Sequence, residues 1–216
     1  MLINIKNIKV YVVSPGEDKF MKRLLIVFER LVKYGFTNIE YFKSIPGKNS
    51  TESLTITILE IFKKEKDNDY PFIILEDDCD IFHKYESIKI PDNLDILYLG
   101  VSLWSYPYSI NSLYLGIRPN IVENNGNTVK DYDETLTKIY GMTSGHAIMY
   151  KSRKFIKKFI EEMESIKTNV PHDLLLSSLH LFFNVYALKE PMFYQDGKLD
   201  GQEKVTKLKY NGSCYR

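Results

Sequence analysis

The chain is short of cysteine, of net charge, of flexible linkers and of long apolar runs, and each shortage argues against a class of protein. Only two of its 216 residues are cysteines, Cys79 and Cys214, with no Cys-x-x-Cys and no His-Cys cluster. That speaks against a disulfide framework or a zinc site and suits a reducing compartment. Lys+Arg 29 against Asp+Glu 28 leaves a net charge of +1, without the clustered excess base that a nucleic-acid footprint needs. The start, Met1 to Val10, interleaves apolar with polar residues and lacks the continuous apolar block of a signal peptide. Runs such as Leu24 to Phe28 fall far below the ~20 residues that cross a bilayer. The expectation is a cytoplasmic protein with no transmembrane segment and no nucleic-acid partner.

What is present suffices for a core: 44% of residues are hydrophobic, 13% aromatic and 26% charged. The length suggests a single domain, with no repeat or Pro/Gly-rich tract to divide it. The first half alternates strand and helix signals. Ile8 to Val13 is apolar and β-branched, and Ser14-Pro15-Gly16 turns the chain. From Glu17 to Tyr34, Phe20, Leu24, Phe28, Leu31 and Val32 share one helical face, and Gly35 follows as a stop. Ile39 to Phe42 reads as a second strand. Asn49, with Glu52 as its reciprocal acid, opens a second helix. Phe72-Ile73-Ile74-Leu75 is apolar throughout, as in a strand covered on both faces. This β-α-β-α-β order predicts parallel strands joined by right-handed crossovers. Later, Asp95 to Gly100 and Gly145 to Tyr150 read as strands, Ser152 caps a helix reaching about Ile166, and Pro171 opens another through His180. Phe182 to Ala187 and Met192 to Tyr194 are further strand candidates. The fold class is α/β, with a nucleotide-binding half at 1–100 and an acceptor-side half at 101–216.

Ligands of open α/β sheets bind beyond the carboxyl ends of the strands. Two loops must emerge there: Ser14-Pro15-Gly16, and Glu76-Asp77-Asp78-Cys79-Asp80, which sets four carboxylates within five residues. Crowded carboxylates repel one another, and a hard cation removes that cost. Mg²⁺ or Mn²⁺ commonly bridges one or two carboxylates to substrate phosphates, so the turn is complementary to the diphosphate of a nucleotide-sugar. A solvated acidic turn after a core strand would look the same in sequence.

Ile73-Ile74-Leu75-Glu76-Asp77-Asp78 resembles the acidic "DXD"-type motif of glycosyltransferases with the GT-A fold, and most closely the Leu-Glu-Asp-Asp form of the lipooligosaccharide and collagen galactosyltransferases. Arg23 after the first strand, the "D-x-L-x-L-G" strand Asp95 to Gly100, and the Gly-rich stretch Tyr140 to Ala147 resemble that family in the same order. The resemblance implies a Rossmann-like GT-A fold, a central mixed and mostly parallel sheet flanked by helices, and a UDP-sugar donor with Mn²⁺ or Mg²⁺. It implies Asp78 as direct metal ligand, with Glu76 and Asp77 supporting the metal and contacting ribose or diphosphate. It also places Val13, Ser14 and Arg23 on the nucleotide side. The family's usual Asn-Leu pair is missing near Val13 and Ser14, so base recognition departs from its pattern.

Asp80 completes the acidic turn as a second candidate metal ligand. Asp173, in the first turn of a predicted helix, is the candidate base that would deprotonate an acceptor hydroxyl, although acids favour helix first turns on dipole grounds alone. His83, His146, His172 and His180 show no i,i+4 metal pairing and read as structural. Trp104, Tyr106 and Tyr108 suit a sugar face, and Gln195-Asp196-Gly197 resembles a late polar loop that closes over the donor in related folds. Two rival functions share the acidic turn. One is a haloacid-dehalogenase-type phosphotransferase, which Asp78-Cys79-Asp80-Ile81 resembles. The other is a non-enzymatic cation- or carbohydrate-binding module. The expected partners are a nucleotide-sugar and a glycan acceptor. Because no segment is an obvious acceptor-recognition element, the chain is also compatible with being one domain of a longer polypeptide.

Overall fold

The computed structural model describes residues 1–100, 103–104, 129–140, 142–143, 145–166 and 170–196. In chain order they form β1 (Leu2–Asn4), β2 (Lys9–Ser14), α1 (Asp18–Tyr34), β3 (Ile39–Lys43), α2 (Ser50–Glu65), β4 (Phe72–Glu76) and β5 (Cys79–Ile81). Then come β6 (Ser87–Lys89), β7 (Ile96–Gly100), β8 (Leu103–Trp104), β9 (Val129–Asp131), β10 (Leu136–Ile139), β11 (Met142–Thr143) and β12 (Ala147–Tyr150). The remainder is α3 (Arg153–Ser165), α4 (His172–Leu179), β13 (Val185–Leu188) and β14 (Phe193–Gln195).

Eight strands make one sheet in the order β3-β2-β4-β12-β7-β13-β10-β9. β3, β2 and β4 are mutually parallel, as are β7 and β13; β12 and β10 run against all their neighbours. The sheet is therefore mixed, with most strands co-directed. Side chains alternate between its faces. Tyr11, Val13, Phe72, Ile74, Ile148, Tyr150, Val185 and Ala187 pack under α2, α3 and α4, while Val10, Val12, Ile73, Leu75, Ala147, Met149, Tyr186 and Leu188 pack under α1. Burial on both sides explains the unbroken apolar runs of the inner strands. α1 and α2 lie on opposite faces because their crossovers run in opposite directions from strand to strand with one hand.

Helix ends follow the local signals, with one difference. Gly35 caps α1 at φ 105, donating to the carbonyls of Leu31 and Val32 at 3.1 and 2.9 Å. Asn49 Oδ1 caps α2 through Glu52 N at 2.9 Å, but the Glu52 carboxylate accepts from Lys48 N rather than from Asn49 N. The reciprocal half of the capping box is thus shifted by one residue. Ser152 caps α3 through Phe155 N at 3.2 Å. Among the described residues no helix is long and apolar enough to cross a membrane.

Candidate active site

From β2 the chain moves outward to β3, then back past β2 to β4, so the topological switch point lies between β2 and β4. Val13 is the register partner of Glu76 across that junction, and Ser14 ends β2 beside it. The two expected loops do converge there. Gly16 turns the chain at φ +74, where a Cβ would strike the Tyr41 hydroxyl. Tyr41 in turn donates to the Ser14 carbonyl at 3.4 Å.

Glu76, Asp77 and Asp78 follow one another off the end of β4, and the last two are buried. Arg23, in the second turn of α1, forms an ion pair with Asp77 and lies 4.5 Å over the Phe20 ring. Gln195, the last residue of β14, directs Nε2 between two carboxylates, 3.4 Å from Glu76 Oε2 and 3.3 Å from Asp78 Oδ2. Burial, then the charges of Asp78, Asp77 and Asp173, hold the Glu76 carboxyl up at about 8, against a weaker downward pull from Arg23. The same influence places Asp173, in the first turn of α4, within electrostatic reach of Glu76.

Asp80 goes elsewhere. The expected acidic loop is interrupted by β5, which pairs with β14 so that Cys79 faces Gln195 in register and Asp80 faces Tyr194. Strand alternation turns Cys79 into the core and Asp80 toward Arg30 at 3.0 Å and the Tyr194 hydroxyl at 3.2 Å. Arg30 also reaches Asp196 at 3.4 Å, and Asp196 N donates to the Asp78 carbonyl at 2.8 Å. Arg30 is the residue the sequence reading missed. Its signal was spacing, since it stands two helical turns after Arg23 and so on nearly the same face of α1.

Several buried polar atoms at this edge have no hydrogen-bond partner among the described residues: Ser14 Oγ, Arg23 Nε and Asp77 Oδ2. Native proteins leave few such atoms, and each calls for a ligand, a water or a functional reason. His146 is held neutral, its pKa lowered to about 4 by burial against a weaker upward pull from a hydrogen bond to the Phe193 backbone, and its carbonyl accepts from Glu76 N at 2.9 Å and from the Cys79 thiol at 3.3 Å. A Cβ on Gly100 would collide with the His146 ring and the Phe193 carbonyl, so the end of β7 admits only glycine. His180 is buried against the Tyr98 hydroxyl at 3.2 Å, and the His172 amide donates to Thr55 Oγ1 at 3.1 Å. No three His, Cys, Asp or Glu side chains among the described residues are gathered in metal-ligating geometry. Tyr106, Tyr108 and Gly197 lie outside the described residues; Trp104 pairs with Met142 through the backbone of β8 and β11.

No protein-family model and no curated protein matches the sequence. Among solved structures, the chain is similar to a glycosyltransferase involved in glycosylation of the major capsid of PBCV-1, at 9% identity and TM-score 0.38 over 84% of this chain and 93% of that one. It is similar to a Drosophila beta-1,4-galactosyltransferase 7 variant in complex with manganese, UDP-Gal and xylobiose, at 10% identity and TM-score 0.45 over 94% and 77% of the two chains. It is also similar to a nucleoside-diphosphate-sugar pyrophosphorylase from Vibrio cholerae, at 12% identity and TM-score 0.39 over 83% and 72%. All three likenesses are distant.

Proposed function

We propose that this edge of the sheet binds a UDP-sugar through a divalent cation, Mn²⁺ or Mg²⁺, within a GT-A frame, and that the protein transfers the sugar to a hydroxyl of a glycan or glycoprotein. The observation that carries the reading is the crowding of Glu76, Asp77 and Asp78 at the switch point, tight enough to hold a proton on Glu76, beside buried polar atoms that lack partners. Mg²⁺-like ions usually take only one or two protein carboxylates and complete their shell with water and phosphate, so a pair of acids fits and a closed cage is not required. When bound, the cation stabilises the negative charge that develops on the departing diphosphate.

The chain's own residues divide the remaining work. Asp78 would hold the cation directly, with Glu76, on the other side of the Gln195 amide, supporting it in its ionised form. Asp80, expected as a second ligand, is committed to Arg30 and Tyr194 and instead braces the turn. Arg23 holds Asp77 in place, while Val13 and Ser14 stand on the nucleotide side, with the Ser14 hydroxyl buried just behind that surface. Asp173 takes the proton from the acceptor hydroxyl. A thermal-shift screen of UDP, GDP and CMP, each with and without Mn²⁺, tests the reading. A ligand that binds only the folded state at ~100 times its Kd adds about 2.7 kcal/mol of stability. UDP with Mn²⁺ should raise Tm, and either component alone should do little. Equal shifts from all three nucleotides, or none, would overturn it.

A further inference from the structure

The opposite edge of the sheet carries a second concavity. A groove of about 490 Å³ opens where β2 and β4 begin, at the paired positions Lys9 and Phe72. The length of β2 sets it roughly 17 Å from the acidic turn. Its volume lies within the range usual for small-molecule sites.

Its lining is amphipathic and uncharged in sum. Four primary amides, Asn4, Asn7, Asn38 and Asn68, stand around it, with Tyr70 and Pro71. Tyr70 is 83% exposed, one of the most exposed large apolar side chains among the described residues, and it sits beside the groove without a ring partner. At the floor, Glu65 is buried and accepts from Tyr11, Asn68 and Lys9, and Lys9 also pairs with Glu40 at 3.1 Å. Every charge in the floor is therefore neutralised by a neighbour. An ionic ligand would find no unpaired countercharge here. Asn4 and Asn68 are already bonded to Lys6 N and Glu65, and a purely apolar ligand would cover the exposed Asn7 and Asn38 amides without answering them.

We propose that this groove is a carbohydrate-binding site for a neutral saccharide. A primary amide offers a donor and an acceptor together, which matches the vicinal hydroxyls of a sugar ring. An exposed tyrosine ring offers a flat apolar surface for the sugar's C–H face. Asn7 and Asn38 are exposed, so ligand hydroxyls can reach their amides without disturbing the fold. The proposal does not depend on the reaction assigned to the other edge. A glycan held here would be a remote part of a long chain, since the catalytic turn is too distant for one ring to touch both.

The test is saturation-transfer NMR on the full chain with lactose, cellobiose and chitobiose, in EDTA and without nucleotide, so that the metal-dependent edge stays silent. At least one disaccharide should show saturation transfer with millimolar affinity. Tyr70→Ala and Asn38→Leu should each weaken it at least fivefold, with folding checked by circular dichroism, and Asp78→Asn should leave it unchanged. No transfer to any of the three, transfer that survives both groove substitutions, or transfer lost in Asp78→Asn would each overturn the proposal.

Discussion

At the amino edge of the sheet, Glu65 is buried but receives hydrogen bonds from Tyr11, Asn68 and Lys9. At the carboxyl edge, Asp77 is equally buried, yet among the described residues one of its oxygens has no partner and Arg23 Nε beside it has none either. The two regions differ in what their carboxyl groups do to proton affinity. At the amino edge the three hydrogen bonds pull Glu65 below the usual carboxylate range against the effect of burial. At the carboxyl edge, burial and three neighbouring acids hold Glu76 far above it. Among the described residues, the first edge is satisfied by the chain itself and the second is not. A buried polar group without a partner costs about 1–3 kcal/mol, which is the cost that a bound ligand at the proposed site would remove.

The contrast can be broken in order of effect. Asp173→Ala should lower sugar transfer by roughly 10²–10⁴-fold, the usual worth of a general base, while UDP binding by calorimetry stays intact. Full transfer activity would remove Asp173 from the mechanism.

Glu76→Gln should raise stability. Its folded-state pKa is raised from 4.5 to about 8, so the stability carried by the neutral carboxyl is complete below 4.5 and is lost as pH rises through about 8. The glutamine copies the neutral form. Melts of the unliganded protein should therefore nearly coincide with wild type at pH 5 and exceed it increasingly toward pH 9, by up to about 5 kcal/mol. A variant that is less stable at high pH would mean that Glu76 is not repelled. Glu65→Ala strips the acid from the satisfied edge and leaves Lys9 without its buried partner. Lys9 keeps its pair with Glu40, but Tyr11 and Asn68 lose their acceptor, so chemical denaturation should show a loss of about 1–3 kcal/mol, with nucleotide affinity unchanged. Arg30→Ala should cost least, roughly 1 kcal/mol, since Arg30 is partly solvated, and should act on the turn through Asp80 and Asp196.

The parallel front of the sheet was legible because each element there is long enough to show its period. β2, α1, β3 and β4 fall within a residue or two of their sequence boundaries, and α2 starts where Asn49 predicts but runs three residues past Phe62. Strands of three residues such as β1, β5, β6 and β9 show no period, and β10 at four residues shows little more; their existence depends on partners far along the chain, such as Leu2 with Lys89 and Leu136 with Leu188. The same limit shaped the site. Adjacency in sequence grouped Asp80 with Asp77 and Asp78, but pairing of β5 with β14 swung it onto Arg30, a contact that only the helix register of α1 could have suggested. Val13, Ser14 and Arg23 entered the reading through the family resemblance, and the structure sets Val13 opposite Glu76 and Arg23 on Asp77. That Gln195 lies between two of the acids follows from β14, whose position depends on tertiary pairing.

Calorimetric titration of UDP into the wild-type chain and into Asp78→Asn, with and without Mn²⁺, bears most directly on the acidic turn as a cation site. Wild type should bind UDP only when Mn²⁺ is present, and the variant should lose that binding while melting as a folded protein. UDP affinity that is the same in both, or indifferent to the metal, would contradict it.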